Sequence, residues 1–411
     1  MATSSPLRNS PTKSTPLLPE FAILNAVQPT FPPISLTTPP TPAHTTSILV
    51  RPGLLSRAGA QLREISTSSK ALIVTDSTVA PLYLTHLCHS LDLAGFLPVA
   101  HILPAGESHK HLATLLPAYH TFLAANIDRG TPLIALGGGV VGDIAGFLAA
   151  TLLRGLPFIQ IPTTLLAMVD SSIGGKTGVN QSGGDGEGGG KNLIGAFHQP
   201  ALVLSDPDLL ATLPQSEISN GLAECIKHDA IADPAHLALL PSLLPAILSR
   251  DPHALNLLVH HNASIKSAIV AQDPTEQPGG PRAFLNLGHT FAHAFEAVTH
   301  HALPHGQAVA LGLAAAAHLS TSLSLLPPAH RDQLLRTLFL AHLPTTFPPP
   351  HSPTHLPALN NTPAILSAMH RDKKTEHGHL RFILLSPLGT PLLHKSITPD
   401  QVAATLQLLN P

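Results

Sequence analysis

Two histidines four residues apart, His289 and His293, lie in a stretch with the composition of a ligand-binding surface. Apolar residues recur at helical spacing over 282–299, which predicts one amphipathic helix at about 100° per residue. The polar side chains on the opposite face are Arg282, Asn286, His289, His293 and Glu296. A solvated face is the alternative, but this face holds no lysine. Ligand binding is therefore at least as consistent with the pattern.

A carboxylate could complete a metal site with these imidazoles. The stretch 216–232 predicts a second helix, whose polar face carries Asn220, Glu224 and Lys227. One carboxylate plus two imidazoles is a common catalytic zinc set that leaves a coordination position open. His305 is a candidate third ligand. A metal site and an incidental grouping both stay open. The chain has 27 histidines, so any single one can be incidental, and Glu224 with Lys227 is also an ordinary i,i+3 surface pair.

A run of three glycines, 137–139, follows a predicted strand and precedes a predicted helix. Backbone N–H groups in such a run can approach a pyrophosphate, which the helix dipole favours. The run lacks the GxGxxG fingerprint, and a tight structural turn explains it about as well. Asp76, at the end of an earlier strand, could hold a ribose hydroxyl or could cap a helix.

Short strands alternate with helices in the first half of the chain, which predicts a parallel α/β sheet. The predicted strands are 47–50, 71–74, 99–103, 132–136, 157–161 and 202–204, and a helix is predicted at 110–125. After Asp206, helical periodicity dominates to about His342, and a strand-like run follows at 380–385. The sequence therefore predicts an α/β domain at 46–205 and a mainly helical domain at 206–411.

Three stretches predict irregular structure. Six glycines in ten residues make 181–190 a loop, and 343–363 is a connector dense in Pro, Thr and His. The segment 1–45 is rich in Ser, Thr and Pro and lacks the apolar core of a secretory signal. We expect a disordered tail there, with a transit peptide as the alternative.

Composition excludes several classes of protein. The net charge is -2 and charged residues make up 11%, so no basic surplus predicts binding to nucleic acid or to an anionic membrane. Long apolar runs such as 308–317 fall short of the ~18 residues of a membrane span. Only two cysteines, Cys88 and Cys225, are present, which favours a reducing, cytoplasmic compartment.

Several long strings, in order along the chain, together resemble the 3-dehydroquinate synthase family of sugar phosphate cyclases. The strings are 137–146 (GGGVVGDIAG), 157–180 (PFIQIPTTLLAMVDSSIGGKTGVN), 191–200 (KNLIGAFHQP), 220–227 (NGLAECIK), 285–296 (LNLGHTFAHAFE), 305–306 (HG) and 372–374 (DKK). The resemblance spans most of the chain from about residue 46. It implies a Rossmann-like NAD-binding α/β domain, a helical metal-binding domain, and a site between them.

The resemblance also implies the roles of individual residues. The metal, Zn or Co, would be bound by Glu224, His289 and His305. NAD contacts would include Asp76, Glu107, Lys110, Gly138, Gly139, Val140, Asp143, Thr163, Thr164, Lys176, Lys191, Thr212, Leu213 and Glu217. Substrate contacts would be Arg154, Asp170, Lys176, Asn192, Lys227, Lys266, Arg282, Asn286, His293 and one of Lys373 or Lys374. The family's counterpart of Arg154 reaches the neighbouring subunit, which implies a homodimer.

The implied substrate is 3-deoxy-D-arabino-heptulosonate 7-phosphate. NAD+ oxidises its C5 hydroxyl, phosphate leaves by β-elimination, C5 is reduced again, and ring opening and an aldol addition close the carbocycle. Asp170 and Lys227 would bond the hydroxyls or relay the proton. Arg282 and Lys266 suit the carboxylate. The groups that suit the phosphate are Arg154, Lys176, Asn192 and the C-terminal lysine, and His293 fits a water-binding role.

The sequence departs from the family pattern in two places near the site. The glycine-rich string before Lys191 is longer than usual, and 273–282 (DPTEQPGGPR) replaces a shorter string and lacks its usual arginine. Three rival functions stay open. These are a cyclase for another sugar phosphate, a metal-dependent alcohol dehydrogenase of the glycerol-dehydrogenase type, and an inactive scaffold. The intact ligand and anion-binding residues argue against the last two.

Overall fold

The computed structural model describes residues 44–181, 190–371 and 380–410. The strands of the first half are β1 (Ser47–Val50), β2 (Lys70–Asp76), β3 (Leu97–Leu103), β4 (Leu133–Gly137), β5 (Phe158–Pro162), β6 (Lys176–Gln181), β7 (Gly190–Phe197) and β8 (Leu202–Ser205). All except β6 and β7 form one parallel sheet in the order β1, β8, β5, β4, β2, β3. The predicted α/β fold class and all six predicted strands are confirmed.

Both faces of the sheet are buried, which explains why its central strands are almost continuously apolar. Side chains alternate along β2, so that Leu72 and Val74 belong to the core on one face and Ala71 and Ile73 to the core on the other. The helices of this half are α1 (Ala58–Arg63), α2 (Thr85–Leu93), α3 (Leu112–Ala124) and α4 (Gly139–Thr151). Helix α3 begins two residues later than the sequence predicts.

The order of the strands reverses between β2 and β4. Strand β3 lies on one side of β2, whereas β4, β5 and β8 continue on the other side. The carboxyl ends of β2 and β4, with Asp76 and Gly137, are therefore neighbours at a topological switch point. Ligands of open parallel sheets characteristically bind at such a point.

Strands β6 and β7 form a separate antiparallel hairpin, which the sequence did not predict. Two glycines make the close approach of the strands possible. A Cβ atom on Gly195 would lie 2.1 Å from the Thr177 carbonyl oxygen, and one on Gly178 would lie 2.6 Å from that of Ile194. The predicted loop 181–190 has its two ends in the hairpin, and 182–189 lie outside the described residues.

Helices dominate the second half, as predicted. They are α5 (Gln215–Ala232), α6 (Pro234–Leu248), α7 (Pro252–Gln272), α8 (His289–Val298), α9 (His305–Ser322), α10 (Pro328–Leu340), α11 (Thr362–Arg371) and α12 (Pro399–Gln407). The predicted strand near the end is β9 (Phe382–Leu385), paired with β10 (Pro391–His394). Within the described ranges, no helix has both the length and the apolarity to cross a membrane.

The prediction of one helix over 282–299 is wrong. A 3₁₀ turn covers Pro281–Asn286, and α8 begins only at His289. Gly288 between them has φ +76°, and its Cβ atom would lie 2.7 Å from the Leu313 nitrogen of α9. The chain breaks there because this close contact with α9 requires a left-handed glycine.

The connector 343–363 is irregular as predicted, apart from the short turn Pro357–Asn360 and the first residues of α11. The predicted tail 1–45 lies outside the described part of the chain, apart from its last two residues, 44 and 45. Lys373 and Lys374 also lie outside it. The predicted domain boundary at 205/206 falls between β8 and the turn Pro207–Thr212.

Candidate active site

Three side chains from three helices meet at one point. Glu224 of α5 lies with its Oε1 3.6 Å from Nε2 of His289 and 3.5 Å from Nε2 of His305. One potential ligand atom from each residue lies within 4.8 Å of the others. The three predicted metal ligands are thus brought together, although 81 residues separate Glu224 from His305 in sequence.

Close contacts between helices create this convergence. The first residues of α9 lie against α5 because Gly306 has no side chain, and a Cβ atom there would lie 2.3 Å from the Cα atom of Asn220. Gly312 and Gly288 allow a similar contact between α9 and the start of α8. Gly306 and Gly288 therefore position the adjacent residues His305 and His289.

Hydrogen bonds fix the orientation of both imidazoles. His289 Nδ1 lies 3.1 Å from the Leu287 carbonyl oxygen, to which it donates, so its Nε2 lone pair points at Glu224. His305 Nδ1 lies 3.3 Å from Oε1 of Glu296, and Lys191 Nζ lies 3.2 Å from the same oxygen. Glu296 was placed on the polar face by the sequence but was given no role. Outer partners of this kind orient metal ligands.

The charges of this cluster are strongly perturbed. Burial opposes ionisation of Glu296, but the hydrogen bond and charge of His305 outweigh it and lower its pKa to about 2. Burial also lowers the pKa of His289 to about 4. Burial also lowers the pKa of His305, but its hydrogen bonds to Glu224 and Glu296 and their charges outweigh this effect and raise the pKa to about 10. A buried carboxylate with two convergent imidazoles fits a divalent metal such as Zn²⁺ or Co²⁺.

Asp170 and Lys266 form an ion pair beside this cluster. Lys266 Nζ lies 2.7 Å from Asp170 Oδ1, and it also donates to the Asp170 carbonyl oxygen. Burial raises the pKa of Asp170, but the charge of Lys266 opposes this, and the pKa is lowered overall. Burial lowers the pKa of Lys266, against the attraction of Asp170. Lys227 pairs with Glu224 Oε2, and its side chain is 2% exposed.

His228, for which the sequence predicted no role, is fully buried next to Lys227. Its Nδ1 lies 3.2 Å from Asn262 Oδ1, and its Nε2 lies 3.7 Å from Asp170 Oδ1 without a hydrogen-bond partner. Burial lowers the pKa of His228, so the neutral ring is favoured. Only its place beside Lys227 in the helix 216–232 could have indicated a role.

The predicted anion-binding residues surround an internal carboxylate. Glu276 lies in the string 273–282, which departs from the family pattern. It accepts a hydrogen bond from Asn286 Nδ2 at 2.9 Å and pairs with Lys176. Arg282, which is 2% exposed, donates from Nη2 to the Gly174 carbonyl oxygen at 2.9 Å. Glu276 is a further residue that sequence reasoning missed. His293 lies beside the metal-ligand candidates, with its ring centroid 5.5 Å from that of His289.

The glycine run lies where a nucleotide could bind. Gly138 precedes α4 and no side chain caps the helix, so backbone N–H groups of its first turn face outward. A Cβ atom on Gly138 would lie 3.1 Å from Thr164 Cγ2, and one on Gly139 would lie 3.1 Å from Ser171 Oγ. At the end of β2, Asp76 Oδ1 caps the next turn by accepting from the Thr78 and Val79 nitrogens. This arrangement fits a pyrophosphate and a ribose.

A polar network joins this region to the hairpin. Lys110 Nζ lies 2.5 Å from both Asp143 Oδ2 and Asn192 Oδ1, and the Asn192 nitrogen donates to Asn180 Oδ1 at 2.9 Å. Asn180 Nδ2 in turn donates to Glu107 Oε1 at 2.8 Å. Burial raises the pKa of Asp143, although Lys110 opposes this. Four of the predicted site residues thus lie in one hydrogen-bonded group.

The other predicted residues are more dispersed. Thr212 Oγ1 lies 2.5 Å from the Tyr83 hydroxyl, Leu213 accepts at its carbonyl oxygen from Arg250, and Glu217 accepts from Asn220. Val140 lies in the first turn of α4, and Thr163 donates from its nitrogen to the Gly137 carbonyl oxygen. Arg154 lies exposed after α4, with φ +67°.

Family models and curated relatives match most of the chain. The family model described as 3-dehydroquinate synthase N-terminal matches residues 100–220, and the C-terminal model matches 221–375. The chain is 46% identical over 362 residues to the 3-dehydroquinate synthase of Rhodospirillum rubrum, covering 88% of this chain and 91% of that protein. It is 43% identical over 368 residues to that of Neisseria gonorrhoeae, covering 89% and 97%.

Solved structures share the fold. ValA, a 2-epi-5-epi-valiolone synthase from Streptomyces hygroscopicus with NAD+ and Zn²⁺ bound, has a TM-score of 0.79 and 27% identity, covering 92% of this chain and 99% of that one. Glycerol dehydrogenase of Schizosaccharomyces pombe, at a TM-score of 0.61 and 17% identity over 89% and 88%, shares the fold alone. From the two family models and the curated relatives, it follows that the chain belongs to the 3-dehydroquinate synthase family.

Proposed function

We propose that the chain is a 3-dehydroquinate synthase, which converts 3-deoxy-D-arabino-heptulosonate 7-phosphate into 3-dehydroquinate and phosphate with NAD and a divalent metal. The observation that carries this proposal is the meeting of Glu224, His289 and His305 beside the Asp170–Lys266 pair. A metal-binding set and an acid/base pair in contact suit a reaction that moves protons at adjacent hydroxyl groups. The identities of 40–46% to curated relatives support the same activity.

Glu224, His289 and His305 would hold the metal, and the glycine run with Asp76 would hold NAD. When bound, the metal acts as a Lewis acid on substrate hydroxyls and NAD acts as a reversible hydride acceptor. Glu296 would accept a hydrogen bond from His305 Nδ1, which leaves Nε2 to face the metal once that nitrogen has lost its proton. The Lys110–Asp143 pair and Asn192 fix the hairpin against α4.

Asp170 would handle the proton of a substrate hydroxyl, while the ammonium group of Lys266 holds Asp170 in place. The pKa of Asp170 is lowered, so it is an anion at neutral pH and can accept a hydrogen bond from that hydroxyl. His228 lies behind Asp170 with a neutral ring favoured, and it can receive or return a proton through Nε2. Lys227 beside Glu224 supplies a second ammonium group near the same hydroxyls.

Two anionic groups of the substrate would occupy the cationic residues. Arg282 and Lys266 suit the carboxylate, because a guanidinium can form two parallel bonds with it. Lys176 and Asn192 suit the phosphate, together with Arg154 and with Lys373 or Lys374. Since Glu276 is an anion already bound to Lys176 and Asn286, a substrate anion must displace it from them.

Several properties remain part of the proposal. We propose a homodimer, with Arg154 directed to the partner subunit because it is exposed at the end of α4. We also propose a cytoplasmic protein that binds no nucleic acid, and a division into domains at 46–205 and 206–411, which the end of β8 at Ser205 supports. A cyclase for a different sugar phosphate is the second candidate, favoured by the likeness to ValA.

The decisive experiment is turnover with purified protein. 3-Deoxy-D-arabino-heptulosonate 7-phosphate would be incubated with NAD and Zn²⁺ or Co²⁺, beside a sample treated with EDTA, and phosphate and the cyclic product would be measured by mass spectrometry. We expect product that disappears with EDTA and returns with metal. The absence of phosphate release from metal-loaded protein would overturn the proposal. Sedoheptulose 7-phosphate and glucose 6-phosphate would then distinguish the second candidate.

A further inference from the structure

A second group of histidines lies on one buried carboxylate, away from the active site. Asp229 of α5 is completely buried. Its Oδ2 lies 2.8 Å from Nδ1 of His236 on α6, and its Oδ1 lies 3.0 Å from Nε2 of His261 on α7. The two rings are stacked, with centroids 3.8 Å apart. We call these three residues the three-helix cluster.

The charge of the three-helix cluster is incomplete without a cation. Among the described residues, no lysine or arginine forms an ion pair with Asp229, whose ionic partners are the two imidazoles. A buried carboxylate needs a positive partner, so either an imidazole carries a proton or a metal ion takes its place.

The arrangement of donor atoms suits a metal ion. One atom of each residue lies within 4.8 Å of the others, and a fourth donor, Asp233 Oδ2, lies 3.9 Å from His261 Nε2. Ligand atoms around tetrahedral zinc lie about 3.4 Å apart, as its bond lengths of about 2.1 Å require. The two contacts of Asp229 with the imidazoles, at 2.8 and 3.0 Å, would therefore have to lengthen by about 0.4–0.6 Å. The side chains of His236 and His261, 18% and 26% exposed, leave a route from solvent.

The three-helix cluster is separate from the proposed catalytic metal site. Asp229 follows Glu224 by five residues on α5, which places the two carboxylates about 140° apart around the helix. His228 lies between them in sequence and points at Asp170 instead. A metal on Asp229 would join α5 to α6 and α7, whereas the catalytic ligands join α5 to α8 and α9.

We propose that Asp229, His236 and His261 form a second, structural site for a divalent transition metal, with Asp233 as a fourth ligand. Imidazole and carboxylate donors select Zn²⁺, Co²⁺ or Ni²⁺ over Ca²⁺ or Mg²⁺. The metal fastens α5, which carries Glu224 and Lys227, to the neighbouring helices. The proposal does not depend on the reaction that the protein catalyses.

Metal stoichiometry tests this proposal. The protein, stripped with a chelator, would be dialysed against Zn²⁺ and analysed by plasma mass spectrometry. Wild type should bind one ion more than His236→Gln/His261→Gln, in which the amides can still donate to Asp229 but do not replace imidazole ligands. Glu224→Gln should lose only the catalytic ion. His260→Gln, beside His261 but exposed, is the matched control and should bind as wild type does.

Thermal unfolding gives a second readout, independent of activity. In Glu224→Gln, Zn²⁺ should raise Tm by at least about 2 °C, since a ligand of the folded state stabilises it. Adding the two glutamine substitutions should abolish that increase. If the double variant does not fold, His236→Gln and His261→Gln are measured separately, with Kd for the second ion at least tenfold weaker. Equal stoichiometry and equal Tm increases in wild type and variants would overturn the proposal.

Discussion

Lys266 donates a 2.7 Å hydrogen bond to Asp170 Oδ1, and its side chain is only 7% exposed. Asp170→Asn would leave this buried ammonium group without its counter-ion, although the backbone carbonyl oxygen remains. We expect the free energy of unfolding to fall by about 2–3 kcal/mol, with turnover falling at least tenfold. Urea denaturation followed by circular dichroism measures the first quantity. Asp332→Asn, which removes an exposed pair with Arg331, should cost less than about 1 kcal/mol.

The double variant Asp170→Asn/Lys266→Met separates stability from catalysis. Removing both charges avoids a buried unpaired ion, so we expect it to recover at least about 1 kcal/mol of the loss. Turnover should stay as low as in Asp170→Asn. Recovery of activity together with stability would contradict the role given to this pair.

Glu296→Gln tests how His305 is held. The amide can still contact His305 Nδ1, but it loses the negative charge that Glu296 carries with its pKa lowered to about 2. We expect the affinity for Zn²⁺ to fall 10- to 100-fold, measured by competition with a chromogenic chelator. At saturating metal, most activity should return. Glu64→Gln, at an exposed position, is the control, and equal affinities in all three proteins would disprove the idea.

Gly306→Ala should disrupt the contact between α5 and α9. The added Cβ atom would lie 2.3 Å from the Asn220 Cα atom, which is backbone and cannot rotate away. Overpacking of this kind costs about 1–3 kcal/mol, and it would move His305 away from Glu224, so metal affinity should also fall. Gly130→Ala adds a Cβ atom at an ordinary 3.4 Å contact. A Gly306→Ala protein as stable as Gly130→Ala would contradict this account.

His198 should make stability sensitive to pH. Burial lowers its pKa, against the hydrogen bond between its Nε2 and the Leu156 carbonyl oxygen at 2.9 Å. As pH falls, the unfolded chain therefore binds a proton on His198 before the folded chain does. The neutral, buried His198 contributes its full stabilisation above about pH 6.5, and this contribution is lost as pH falls through the folded pKa. We expect His198→Gln, whose amide can still donate, to lose less stability than wild type between pH 7 and pH 5.

Urea midpoints of both proteins at half-unit intervals of pH provide the measurement. Above pH 7.5, where His198 is neutral in both states, the difference between the two midpoints should be constant. Parallel curves over the whole range would show that His198 does not bind its proton differently in the two states.

The sequence was sufficient for the elements with strong local signals. The buried strands are continuous apolar runs, and helix 216–232 has a clear polar face, so both were predicted correctly. The grouping of Glu224, His289 and His305 came from the resemblance and not from periodicity, because local pattern cannot indicate that Glu224 and His305 meet. That meeting depends on Gly306 and Gly312, whose role is visible only when the facing helices are known.

The errors have physical causes as well. Helical periodicity continues through Gly288, so nothing local predicted the left-handed break that the contact with Leu313 imposes. The hairpin strands carry glycine and polar residues at positions where strands usually have β-branched ones, because one strand lies close against the other. Glu276 and His228 matter through contacts with residues distant in sequence, which no spacing rule reveals.

Gln181 and Gly190, which flank the string 182–189, pair with each other as the last pair of the hairpin. Lys176 and Asn192 are then held by strand pairing and by Asn180, whatever the length of that string. We therefore expect insertions and deletions there to leave the positions of Lys176 and Asn192 unchanged. The same position offers an attachment point for a fluorescent reporter or an affinity tag that leaves Lys176 and Asn192 in register.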